Sequence, residues 1–343
     1  MIINTPFSIL TVTTLITSTL IAVSRTNWII LWTSIEINLL RFIPIILFTI
    51  KNQETEAAIK YFLAQSFGSS ILLIRRISIW RIFSIRDKLL IYILMFSIIL
   101  KLGIVPCHIW YPSVIISISW YSCAILSTWQ KLAPLTIISF ILVQKTRNIL
   151  LFVAALNSII GGIMGINQTH LRVILAYSSI NHMGWIVRIL AINKPFITIT
   201  YLLIYSVVAF PIFIVFAFNN LSTISARISD SIYAPLPHIF IAIRLLNLGG
   251  IPPLGGFAAK WLVLSELIVV NSLVCYFLIL GSLIALYFYL NIGLSLLLTN
   301  ISKKNEECIF TDPKTGFLVA QWNVILSLYR TWLVIPRLLI FII

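Results

Sequence analysis

The stretch YSCAILSTWQKLAPLTIISF, Tyr121 to Phe140, carries one charged residue, Lys131, near the middle of an otherwise uncharged run. A helix rises about 1.5 Å per residue, so these residues can cross a hydrocarbon core of roughly 30 Å, with Lys131 roughly 15 Å from either end. At that depth an ammonium is beyond easy snorkelling reach of water and costs roughly 3 kcal/mol on insertion scales. Such residues usually mark an ion or proton path. For Lys131 alone, a lysine stretched to a cavity or neutralised in packing is the plainer alternative. Three companions elsewhere in the chain weaken it.

The rest of the chain has the same character. Of its 343 residues 60% are hydrophobic and 10% charged, against about a quarter charged in soluble proteins. This is the composition of an integral membrane protein. The apolar segments far exceed the roughly ten residues of a barrel strand and show no period-two alternation, so they read as helices that satisfy their own backbone. The expected fold class is all-α, a polytopic membrane helix bundle forming a single transmembrane domain over residues 1–343. The formal charge of +15 is spread singly through loops and spans with no basic face, which argues against a nucleic-acid partner. Cys107, Cys123, Cys275 and Cys308 lie too far apart for iron–sulfur or metal spacing, and the four histidines form no ligand pattern. No cofactor or metal is therefore assigned to this chain. The N-terminus MIINTPFSILTVTTLITSTLIAV lacks a basic n-region and an Arg-rich amphipathic pattern, and reads as a first span.

Reading apolar runs between charged or Gly/Pro breaks gives about eleven spans: 7–24, 28–50, 56–80, 88–118, 119–144, 148–167, 170–192, 196–219, 236–271, 273–299 and 318–342. Two are overlong and interrupted. In KLGIVPCHIWYPSV, 101–114, Pro106 and Pro112 follow Gly103; in LGGIPPLGGFAAKW, 248–261, four glycines bracket Pro252 and Pro253. Proline removes a donor and clashes with the preceding turn, so both helices should break at membrane depth, as in transporters whose half-helix ends line a mid-membrane site. The longer polar connections, Asn219 to Pro237 and Asn300 to Gly316, read as a loop with room for a short surface helix and as a solvated turn.

Arginines also fall inside apolar spans, at Arg41, Arg75, Arg76, Arg188 and Arg244, and Ile supplies 66 residues against 4 Met. Five mid-membrane arginines would cost on the order of 15 kcal/mol, with few acidic partners to offset them. Invertebrate mitochondria read AGA as Ser and AUA as Met. Translation with the wrong code would account for both oddities, and these positions are expected to be serines in the protein.

Four ionisable residues lie inside spans on four different helices: Glu36, Lys101, Lys131 and Lys260. Packing alone gives no reason to bury one carboxylate and three amines at similar depth, whereas a proton conductor needs such a series. Burial loosens an amine's hold on its proton, and a nearby carboxylate tightens it. In the expected mechanism Glu36 pairs with Lys101, changing that pair alters the proton affinity of Lys131, and Lys260 passes the proton toward an exit. His182 could relay protons through its two ring nitrogens or be a structural, hydrogen-bonded histidine. His108 is placed to sit in water at the first break. Glu266, about one and a half turns from Lys260, is a candidate partner or an interfacial residue.

The runs WTSIEINLLRFIP, LKLGIVPCHIWYPSV, TWQKLAPL, GINQTHLRVILAYSSINHMGW and LGGIPPLGGFAAKW, in this order and spacing, resemble the NADH dehydrogenase subunit 2 family, the mitochondrially encoded antiporter-like subunits of respiratory complex I, in its invertebrate form. The resemblance covers almost the whole chain. It implies eleven helices in an antiporter-like inverted-repeat architecture, in a multi-pass protein of the mitochondrial inner membrane. It implies proton translocation coupled to electron transfer from NADH to ubiquinone, with NADH, flavin mononucleotide, iron–sulfur clusters and ubiquinone held by partner subunits, and neighbouring antiporter-like subunits and the lipid bilayer as contacts. Glu36 matches the family's acidic residue facing the neighbouring subunit, Lys101 its broken-helix lysine, Lys131 its central lysine and Lys260 the lysine near the second break. The alternatives are a free-standing cation/proton antiporter and a passive membrane scaffold.

Overall fold

A computed structural model describes residues 6–304 apart from position 26, position 50, 82–86, 142–145, 219–234 other than Thr223, position 253 and 268–271. The expected span 318–342 lies outside the described residues, as do most of the two long connections. Among the described residues the chain forms thirteen α-helices. They are α1 (Pro6–Ser24), α2 (Trp28–Ile46), α3 (Asn52–Arg81), α4 (Asp87–Leu102), α5 (Trp110–Ile115), α6 (Trp120–Ser127), α7 (Leu132–Ile141), α8 (Arg147–Ile166), α9 (Leu171–Ala191), α10 (Pro195–Phe218), α11 (Pro235–Gly249), α12 (Gly255–Leu267) and α13 (Ser272–Lys304). Six of them, α1, α2, α8, α9, α10 and α13, are each long and apolar enough to cross a membrane alone.

The bundle is organised round α9, in which every residue but Arg172 is buried. It packs against α5, α6, α8, α10, α12 and α13. Its hydropathy is the lowest of the six spanning helices, because it carries Ser178, Ser179, Asn181 and His182 on its inner turns. Polar side chains belong in the interior of a membrane bundle, where they find partners, rather than against lipid. The outer faces of α1 and α10 show the reverse: Phe7, Leu10, Leu20, Phe196 and Leu203 are exposed. The hydroxyls of the Ser/Thr-rich α1 are used locally, with Thr11 donating to Ser8 O at 2.8 Å and Ser18 to Leu15 O at 2.9 Å.

Glycine sets the closest approaches. A Cβ added to Gly161 would stand 2.7 Å from Asn181 N, and one at Gly184 would stand 2.9 Å from Ala154 O. Small residues thus let α8 and α9 meet backbone to backbone, the usual way membrane helices pack when lipid is as apolar as leucine.

The expected run 88–118 divides into α4, a loop and the six-residue α5, and 236–271 divides into α11 and α12. Both upstream helices end in the same way. Gly103 has φ +64° and Gly250 φ +77°, the left-handed conformation that glycine adopts without steric cost. Gly103 N–H donates to Leu100 O and Ile104 N–H to Ile99 O; Gly250 N–H donates to Asn247 O and Ile251 N–H to Leu246 O. These are Schellman C-caps, and they stop each helix inside the bundle. The loop after the first is held by Asn157, whose Oδ1 accepts Val105 N–H at 2.9 Å, and the second by Asn247, whose Oδ1 accepts Gly256 N–H at 2.7 Å.

The expected continuous span 119–144 is a correction. Lys131 closes a 3-10 turn, Trp129–Lys131, between α6 and α7. Pro134 accounts for it: its ring clashes with the carbonyl four residues back, at Gln130, so the α-helix cannot run through that turn. The central lysine therefore sits at a third break.

Candidate functional site

Lys101, Lys131, Lys260 and His182 are all buried, at 5%, 3%, 6% and 6% exposure, whereas Glu36 on α2 is half-buried. Lys101 lies in the last turn of α4, its stem laid across Gly68 of α3, where a Cβ would come within 2.9 Å of Lys101 Cγ. The carbonyls freed by the break are taken up by side chains: Trp110 Nε1 donates to Leu100 O and Gln65 Nε2 to Lys101 O, each at 3.0 Å. The Lys101 amine itself has no hydrogen-bond partner.

The expected Glu36–Lys101 contact is not made. Among the described residues the ion pairs are Lys60–Glu56 and Lys194–Glu266. Glu36 is close enough to Lys101 to interact with it electrostatically, but the two make no ion pair. Glu266 is likewise committed elsewhere, to Lys194 and not to Lys260.

Lys101 and Lys131 face a common cavity of about 30 Å³. That is enough room for a water molecule or two. Its polar lining is made by the two lysines with Asn38, Gln65 and Gln130. Asn38 and Gln130 hold each other by reciprocal amide bonds at 3.0 and 3.1 Å, fixing the turn that carries Lys131 to α2. The Lys131 amine lies over two rings, 5.1 Å from the centroid of Tyr111 and 5.8 Å from that of Tyr205. Behind them Ser179 shares a hydrogen bond with Tyr111 Oη at 2.8 Å, and His182 Nδ1 shares one with Tyr201 Oη at 2.9 Å, its ring 4.9 Å from that of Tyr205.

His182 is close enough to both Lys131 and Lys260 to interact electrostatically with each. Lys260 donates to Gly249 O at 2.7 Å. The Lys260 amine thus ends at the C-terminal end of α11, where the helix dipole favours a cation. Gly250 makes room for this, since a Cβ there would stand 2.9 Å from Lys260 Nζ. His108, half-buried in the loop after α4, has a buried Nδ1 without a partner. Among the described residues no group of three His, Cys, Asp or Glu could hold a metal ion.

The family model for the NADH:quinone oxidoreductase/Mrp antiporter transmembrane region matches residues 25–285. The NADH-ubiquinone oxidoreductase chain 2 of the earthworm Lumbricus terrestris is 45% identical over 311 residues, covering 89% of this chain and 93% of the relative. The chain belongs to the NADH-ubiquinone oxidoreductase chain 2 family. The chain 2 protein of Anopheles gambiae is 37% identical over 304 residues, covering 85% of this chain and 86% of that one. The respiratory complex I of Thermus thermophilus with bound aureothin contains a chain of the same fold, with TM-score 0.75 and 23% identity over 84% of this chain and 70% of that one. The all-α, antiporter-like architecture expected from the sequence is thus the architecture of this chain 2 family member.

Sequence reasoning passed over Tyr111, Ser179, Tyr201 and Tyr205, which surround Lys131 and His182. A signal existed in Tyr205, near the centre of the apolar run 196–219 and away from the membrane interfaces where aromatic anchors normally sit.

Proposed function

We propose that this chain moves protons across the mitochondrial inner membrane as a multi-pass, antiporter-like subunit of respiratory complex I, the proton-translocating NADH:ubiquinone oxidoreductase. The redox cofactors of such a complex reside in other subunits, and this chain holds none of them. Lys101, Lys131 and Lys260 are the proton carriers, His182 relays between the last two, and Glu36 sets the charge felt by Lys101 without pairing with it. The observation that supports this most is that Lys101 and Lys131, from separate helices, line one cavity, with His182 near enough to feel both Lys131 and Lys260. A route of this kind needs groups that exchange protons and need not bind a metal or a redox centre.

The test is proton pumping by the assembled complex in sealed vesicles, measured per electron passed from NADH to ubiquinone. Lys131→Ala is expected to lower that ratio while electron transfer continues. An undiminished ratio would remove Lys131 from the proton path.

A further inference from the structure

Lys131 has no carboxylate against it: neither ion pair among the described residues includes it. The groups that face it are Lys101 and Tyr61 across the cavity, His182 from α9, Tyr111 from α5 and Tyr205 from α10. Of these only Lys101 can carry a positive charge of its own, and it repels an ammonium. What attracts it is the pair of ring faces, at 5.1 and 5.8 Å, within the roughly 6 Å over which a ring quadrupole holds a cation, and both rings are buried, where the attraction is strongest.

We propose that Tyr111 and Tyr205 are positioning residues that take the place of a counter-ion for Lys131, with Ser179 holding the Tyr111 ring in place. This rests on the reading of Lys131 as a proton carrier and adds how its charged form is held. A carboxylate at contact distance would bind the ammonium too firmly for release and would itself take up the proton. A ring face does neither. It favours the ammonium moderately, keeps no formal charge and lets the amine swing toward the cavity or toward His182. The local sequence serves the arrangement: the break after Lys101 turns the chain so that Trp110–Ile115 presents Tyr111 inward, with the Tyr111 hydroxyl against α9 at Ser179.

The experiment measures protons pumped per electron as a function of pH in the assembled complex for Tyr111→Leu, Tyr111→Phe and Tyr205→Leu. Without the Tyr111 face the ammonium is lost at lower pH, so the alkaline limb should move down by about one pH unit in Tyr111→Leu. Tyr111→Phe, which keeps the face and drops the hydroxyl, should restore the limb. Tyr205→Leu should give a smaller shift in the same direction, its ring being farther away, and it provides the measurement if Tyr111→Leu does not assemble. A limb that stays in place in Tyr111→Leu or Tyr205→Leu, or that moves equally in the Leu and Phe variants of Tyr111, would overturn the proposal. Failure of the underlying reading is told apart by Lys131→Ala: a full ratio there removes the carrier, whereas a lowered ratio with unresponsive tyrosine variants removes only the cradle.

Discussion

The arginine at position 188 is fully buried on α9, and none of its three guanidinium nitrogens has a hydrogen-bond partner. Its polar neighbours are the thiol of Cys275, a weak acceptor, and a second cation, Arg147. Two of the buried lysines contrast with it: Lys260 has a carbonyl and Lys131 two ring faces. An unpaired buried ion costs several kcal/mol, and among the described residues only the Cys275 thiol is placed to offset any of it. Serine would suit the same place, since Ser178 and Ser179 on this helix already return their hydroxyls to the carbonyls of Leu175 and Ala176. Arg244 is better accommodated, with its guanidinium 4.8 Å from the Phe240 ring, while Arg41 is half-buried and the side chains of Arg75 and Arg76 lie outside the described residues. Peptide mass spectrometry of the mature protein is expected to find serine at 188, with AGA as its codon. Arginine in that peptide would end the decoding explanation.

At the scale of elements, the bundle depends on where helices stop and how closely they approach. The stops at Leu102 and Gly249 were legible because Gly103, Pro106, Pro252 and Pro253 act on the backbone directly, through local sterics. The stop at Lys131 was not read from the sequence: Pro134 lies downstream of the turn it distorts, inside a run whose hydropathy is unbroken. The approach of α8 to α9 was also hidden, since a glycine in an apolar run does not say which backbone it meets. Gly161→Ala is expected to push these two helices apart. Its Cβ would fall 2.7 Å from one backbone atom of α9 and 2.9 Å from another, and no flexible side chain is there to yield. The cost of such overpacking is about 1–3 kcal/mol, to be seen as a lowered thermal midpoint and reduced yield of the assembled complex. Gly293→Ala, where the nearest atom is the Ala242 Cβ at 3.7 Å, should leave both unchanged and controls for the loss of glycine itself.

Across the whole molecule, the residue types at the site were legible and their meeting was not. Charges buried in apolar runs announce themselves one by one, but whether Glu36 touches Lys101, or Glu266 touches Lys260, is decided by tertiary packing, and here Glu36 makes no ion pair with Lys101 and Glu266 pairs with Lys194. The same packing separates a complex-bound pump from a free-standing antiporter. The cavity shared by Lys101 and Lys131 has room for only a water or two, and carrying a proton from it to either face of the membrane calls for movement of the surrounding helices. In a complex, that movement can be driven by electron transfer in partner subunits. A lone antiporter must instead open by binding its own cation, and neither Lys101, with an unpartnered amine, nor Lys131, between two rings, offers the anionic oxygens a sodium or potassium ion requires. The chain reconstituted alone in liposomes should therefore show no proton exchange when a sodium or potassium gradient is imposed, as followed by an entrapped pH dye, while the assembled complex acidifies its lumen only when NADH and ubiquinone are supplied. Cation-driven exchange by the isolated chain would favour the antiporter and would require a cation site other than these lysines.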